Sequence, residues 1–62
     1  MRIAQLRNER DLSQRQLADM AAVNSGYLSL LESGQRMPSL VMLAHLAAVM
    51  QVPLAELFLL TG

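Results

Sequence analysis

Apolar and polar residues recur along this chain with a helical period, and the period is interrupted four times. Ile3 and Leu6 stand one turn apart among Arg2, Gln5, Asn8 and Glu9, which predicts a short amphipathic helix. It ends near Arg10, because Asp11 tolerates the left-handed backbone that closes a helix. Ser13 then offers an N-cap hydroxyl with Gln16 three residues on, so a second helix starts at about Gln14 with Leu17, Ala18 and Ala21 on one face. Periodicity breaks at Ala22-Val23-Asn24. Asn24 caps a third helix from Ser25 to about Ser33, and Gly34 stands where a helix-closing glycine belongs. After the loop Gln35-Arg36-Met37-Pro38, Ser39 caps a fourth helix from Leu40 to about Met50, and Pro53 opens a fifth from Leu54 to about Leu60. No run alternates with period two for long enough to make a strand, and no repeat or linker divides the chain. The expected fold is all-α, five short helices in one compact domain spanning residues 1–62.

Length and composition narrow the function. Sixty-two residues leave no room for a two-domain enzyme. The hydrophobic fraction of 53% is mostly Leu, Ala, Met and Val, with Tyr27 and Phe58 as the aromatics. With no cysteine, disulfides and thiolate metal sites are excluded, and no cofactor is implied. His45 has no second His or Cys to make a usual metal site and reads as an exposed helix residue. Met20, Met37, Met42 and Met50 read as packing filler. One His, one Tyr and no cluster of acids offer no catalytic set, so an enzyme is not expected. Leu40 to Leu60 is rich in apolar residues, but His45, Gln51, Pro53 and Glu56 interrupt it, which argues against a membrane span. The Arg-studded amino terminus does not read as a signal peptide, and the expected location is the cytoplasm.

Formal charge is zero, from five arginines against five acids. All five arginines fall within the first 36 residues, which net +1, whereas residues 37–62 carry Glu56 as their one formal charge. An electrostatic function therefore belongs to the front of the chain.

Counted from Gln14, the residues Leu17, Ala18, Ala21, Val23, Leu28 and Leu31 occupy positions 4, 5, 8, 10, 15 and 18. Two helices joined by a tight turn at roughly 90 to 120° need this spacing, with a small residue where the axes approach. An antiparallel hairpin is the alternative, but short helices with three residues between them leave little length for side-by-side packing. Ile3, Leu6 and Arg7, then Leu12-Ser13-Gln14, Leu17-Ala18, Tyr27-Leu28-Ser29, Leu31-Glu32, Gly34, Pro38-Ser39-Leu40, Leu43, Leu46-Ala47, Val52, Leu57 and Phe58 follow in order. In these residues the chain resembles the phage repressor and Cro-like, or xenobiotic-response-element, helix-turn-helix family.

The resemblance implies a lambda-repressor-like fold and a sequence-specific DNA-binding transcriptional regulator that acts as a homodimer on double-stranded DNA, with its third helix in the major groove. It places Ser25, Gly26, Ser29 and Leu30 toward the bases, and Gln14, Tyr27, Gln35 and Arg36 toward the phosphates. Arg7 and Glu32 match a pair that joins the first helix to the third, a structural role. Gln14 also reads as a solvated first-turn residue, and Tyr27 as a ring packed on the domain.

Three features depart from the family pattern. Ala22 stands at position 9, where glycine usually supplies a positive φ; alanine there costs about 1–2 kcal/mol unless the turn changes. The base-facing set contains no Arg, Lys, Gln or Asn, so direct readout should be weak and DNA shape or dimer spacing more important. The fourth helix is apolar almost all round: Leu40, Leu43, Leu46, Ala47 and Met50 form the expected inner face, with Val41, Met42, Ala44, Ala48 and Val49 over much of the rest. Val41, Met42, Ala48, Val49, Leu59 and Leu60 are therefore the expected dimer interface. The same surplus supports an alternative, a protein-interaction or antitoxin-type module of this fold whose main partner binds the fourth and fifth helices.

Overall fold

A computed structural model describes residues 1–58. Four α-helices, α1 (Ile3–Glu9), α2 (Gln14–Ala21), α3 (Ser25–Ser33) and α4 (Leu40–Met50), are followed by a 3₁₀ turn over Leu54–Leu57. α2 packs on α3 and α4, α1 lies against α2 and α3, and the 3₁₀ turn closes on α4. Among the described residues there are no strands, and no helix is long and apolar enough to cross a membrane.

Local chemistry accounts for each boundary. Ser13 and Gln16 form a reciprocal capping box: the Gln16 N–H donates to Ser13 Oγ at 3.0 Å and the Ser13 N–H to Gln16 Oε1 at 2.7 Å. Ser39 Oγ accepts from the Met42 N–H at 3.0 Å and starts α4. Positive φ follows α1 at Asp11 and closes α2 at Ala22, α3 at Gly34 and α4 at Gln51. Within the described residues the expected fifth helix is a 3₁₀ turn and not an α-helix. Pro53 stands before it as an extended residue, and the sequence expectation for Leu59 and Leu60 lies outside the described residues.

The core draws on every element: Ile3 and Leu6, Leu17, Ala18 and Ala21, Leu28 and Leu31, then Leu43, Leu46, Ala47, Met50 and Leu57. Two arginines fasten its edges. Arg10 donates from Nη1 to the Leu6 carbonyl at 3.0 Å and from Nε to the Met50 carbonyl at 2.8 Å, so one guanidinium satisfies carbonyls at the ends of α1 and α4. Arg2 donates to Glu56 Oε2 at 2.9 Å, and its N–H donates to the Leu57 carbonyl at 3.2 Å, tying the amino terminus to the 3₁₀ turn.

α4 differs from its expected orientation. Leu40 is 64% exposed instead of inward, at the rim of a groove it shares with Met1, Met37 and Phe58. Met42 and Val49 are half-buried against the core, so they cover it instead of facing out. The outer face consists of Leu40, Val41, Ala44, His45 and Ala48. Met50 fills the core as expected, but Met20 and Met37 are exposed.

Candidate nucleic-acid interface

The turn between α2 and α3 begins at Ala22, whose φ of 58° and ψ of 41° put an alanine in the left-handed conformation. The Val23 N–H donates to the Ala18 carbonyl at 2.9 Å, and the half-buried Val23 packs against the core, which holds the turn closed. A second support comes from α4. His45, exposed as expected, lies with Nε2 2.7 Å from the Ala21 carbonyl; since that oxygen can only accept, Nε2–H is the donor. These contacts oppose the cost of about 1–2 kcal/mol for alanine at positive φ.

Asn24 begins α3. Its Oδ1 accepts from the Gly26 N–H at 2.7 Å and the Tyr27 N–H at 3.3 Å. A Cβ at residue 26 would lie 2.9 Å from that oxygen, so this cap requires glycine there or a displaced carboxamide. Along α3, Leu28 and Leu31 are buried while Ser25, Gly26, Ser29 and Leu30 face solvent. The four residues expected to face bases thus share the exposed side of one helix. Gly34, with φ of 80°, then turns the chain so that the Gln35 and Arg36 N–H groups donate to the Leu30 carbonyl at 3.0 and 3.2 Å.

Behind this surface a polar cluster joins three elements. Arg7 Nε lies 2.8 Å from Glu32 Oε2 and Nη2 lies 3.0 Å from Oε1, a bidentate pair with side-chain exposures of 13% and 7%. Arg7 Nη1 also donates to the Leu12 carbonyl at 2.8 Å. The Glu32 hydrogen bond, opposed by burial and supported by charge, raises the Arg7 pKa above its already high ordinary value. Gln14 Nε2 donates to Glu32 Oε1 at 3.1 Å. Gln14 is therefore half-buried and joined to the cluster, with its second amide hydrogen left for another acceptor.

Arg2, Arg7 and Arg10 are engaged within the fold. Among the described residues, Arg15 and Arg36 are the exposed arginines outside any ion pair. Arg36 stacks over the Tyr27 ring at 5.7 Å from its centroid, which orders a long side chain at the edge of α3. Tyr27 is half-buried, its ring packed against the core. Gln35 is exposed beside Arg36. Sequence reasoning assigned no role to Arg15, Arg2 or Arg10 and read Asn24 as a cap alone; Arg2 reaches Glu56 and Arg10 the Met50 carbonyl, 54 and 40 residues away, contacts with no local signal.

Of the expected dimer residues, Val41 is 79% exposed and Ala48 is exposed, Met42 and Val49 are partly covered, and Leu59 and Leu60 lie outside the described residues. The exposed apolar surface extends instead around the start of α4. There Met1, Met37, Pro38, Leu40, Leu43 and Phe58 line an open groove of about 390 Å³.

A helix capped by Asn24, turned out from a tight left-handed closure and backed by a bidentate ion pair defines a helix-turn-helix domain. The family model described as helix-turn-helix matches residues 3–57, and the chain belongs to that family, of the xenobiotic-response-element type. It is in general terms a DNA-binding helix-turn-helix regulator. Neither the curated proteins nor the solved structures contain a significant match to it.

Proposed function

We propose that this domain is a sequence-specific transcriptional regulator that binds double-stranded DNA as a homodimer, with α3 in the major groove. The observation that carries the reading is the exposed side of α3, where Ser25, Gly26, Ser29 and Leu30 stand clear of the core with Arg36 ordered beside them. Small side chains let the helix backbone approach the base edges closely. Gln14, Tyr27, Gln35 and Arg36 supply the phosphate contacts, and Arg15, exposed on α2, adds a second cation. Arg7 and Glu32 hold α3 in place without touching DNA.

Two copies are part of the proposal. Over the described residues the longest principal-axis extent is 28 Å, so one copy reaches a single half-site of a pair roughly 34 Å apart. The apolar outer face of α4, centred on Val41 and Ala48, supplies the contact, with Met42 and Val49 at its margin. Binding to random duplex DNA tests the reading directly. One or two arginines per subunit predict a slope of log affinity against log salt of about −2 to −4 per dimer. A flat response, or no binding at low salt, overturns it. The apolar face also favours a second reading, in which the main partner is a protein seated on α4 and the 3₁₀ turn; a clean monomer that binds no DNA would select it.

A further inference from the structure

The strongest unassigned feature of the α3 surface is the side chain of Asn24. Its carboxamide is not free to present both ends. One end lies against two backbone N–H groups, Gly26 at 2.7 Å and Tyr27 at 3.3 Å, and an atom in that position must be the oxygen. The other end, Nδ2, has no acceptor among the described residues, and the residue is exposed. A second observation makes this amide prominent. Ser25, Gly26 and Ser29 are short, and a Cβ on residue 26 would meet the Asn24 oxygen at 2.9 Å, so the absence of a side chain at Gly26 and the fixed carboxamide depend on each other.

An unconstrained asparagine reads adenine by donating to N7 and accepting from N6 at once. Asn24 cannot, because its acceptor is occupied by the helix it caps. What remains is a donor with two hydrogens, suited to a base edge made of acceptors. In the major groove guanine presents N7 and O6, both acceptors, and thymine presents O4; adenine pairs its N7 with an N6 donor, and cytosine presents the N4 donor.

We infer that Asn24 is a specificity-determining residue which, locked as the cap of α3, acts as a donor-only reader and selects a keto base, guanine ahead of thymine, at one position of each half-site. The inference rests on the reading of α3 as the groove helix. It differs from that reading's expectation of weak readout from Ser25, Gly26, Ser29 and Leu30 by adding one defined position.

The test is selection of bound sites from a randomised duplex pool, using the intact chain and its Asn24→Asp variant. Aspartate caps a helix as well as asparagine does, so the fold persists, as the thermal unfolding midpoint of the variant will show. It replaces the donor by an acceptor. The native chain is expected to favour guanine over cytosine about tenfold at one half-site position, and the variant to lose that preference or turn it toward cytosine. Gly26→Ala, which displaces the carboxamide oxygen, is expected to flatten the same position. An unchanged base profile for Asn24→Asp overturns the inference while leaving the DNA reading intact. A uniform loss of affinity with that profile unchanged does the same, since the added carboxylate repels phosphates at every sequence and only a changed profile reports a base contact. Failure of the native chain to bind any duplex at low salt overturns the DNA reading, and this inference with it.

Discussion

Up to Arg36 the chain adds a network of side-chain polar contacts to its share of the core, whereas from Met37 onward packing is mainly apolar, with polar contacts at the Ser39 cap, His45, the Met50 carbonyl and Glu56. In the first part a capping box, an asparagine cap, a bidentate Arg7–Glu32 pair and an Arg36–Tyr27 stack fix side chains within a few ångströms of named partners. In the second, α4 packs through Leu43, Leu46, Ala47 and Met50 and turns Leu40, Val41, Ala44 and Ala48 outward. The difference teaches that directionality and adhesion are supplied by different segments. Hydrogen bonds and ion pairs specify where α3 points, and an apolar face imposes no single geometry until another surface covers it.

Substitutions can break this contrast at either end. The largest effect is expected within α4 itself: Leu46→Ala, at a fully buried site, should cost about 3–5 kcal/mol in urea unfolding, whereas Leu40→Ala should stay within about 0.5 kcal/mol. Equal effects would mean that the outer face of α4 is covered within a single copy. Glu32→Ala should cost about 3 kcal/mol, since it strands the Arg7 guanidinium and removes the acceptor of Gln14. That loss should change little between low and high salt, because the pair is shielded from solvent. The raised pKa of Arg7 contributes stability that is fully present below the ordinary guanidinium value and lost only above the raised one. The Arg7 contribution should therefore be flat across pH 5–9, on the order of the range accessible to unfolding measurements.

Smaller effects separate the two helix closures that flank α3. Ala22→Gly should raise stability by about 1 kcal/mol, and Gly34→Ala should lower it by about the same amount, both read from thermal midpoints. The smallest effect on folding, within about 0.5 kcal/mol, is expected for Val41→Gln. If α4 carries the dimer contact, the same change should shift sedimentation toward monomer at micromolar concentration.

How far the sequence discloses the structure follows the same division. The bounds of α2, α3 and α4 are legible because Ser13, Asn24, Ser39 and Gly34 each act within four residues of where they stand. Which side of α2 faces inward is legible too, since Arg15, Gln16 and Asp19 mark its outer side. α4 has no such marks. With apolar residues on every side, composition could not distinguish Leu40, which faces out, from Met42 and Val49, which lean on the core. Over the described residues the fifth element is a 3₁₀ turn, with Leu57 in the core and Glu56 bonded to Arg2, contacts that no local pattern announces. In the candidate site, the exposed set on α3 is the one the family resemblance implies, but the constraint on Asn24 is legible in neither resemblance nor spacing. It depends on a hydrogen-bond geometry and on the space left by Gly26.

Engagement of Arg2, Arg7 and Arg10 inside the fold bears on how quickly a polyanion is met. Arg2 and Arg7 are offset by Glu56 and Glu32, Arg10 is turned inward to carbonyls, and the field of Arg10, Arg15 and Arg36 is opposed by the exposed Glu9, Asp11 and Asp19. Long-range steering scales with that field, so association with DNA should proceed near the unsteered rate of about 10⁵–10⁶ M⁻¹s⁻¹. Tight binding then has to come from slow departure, through close contacts and, in the homodimer proposed above, the simultaneous hold of two subunits.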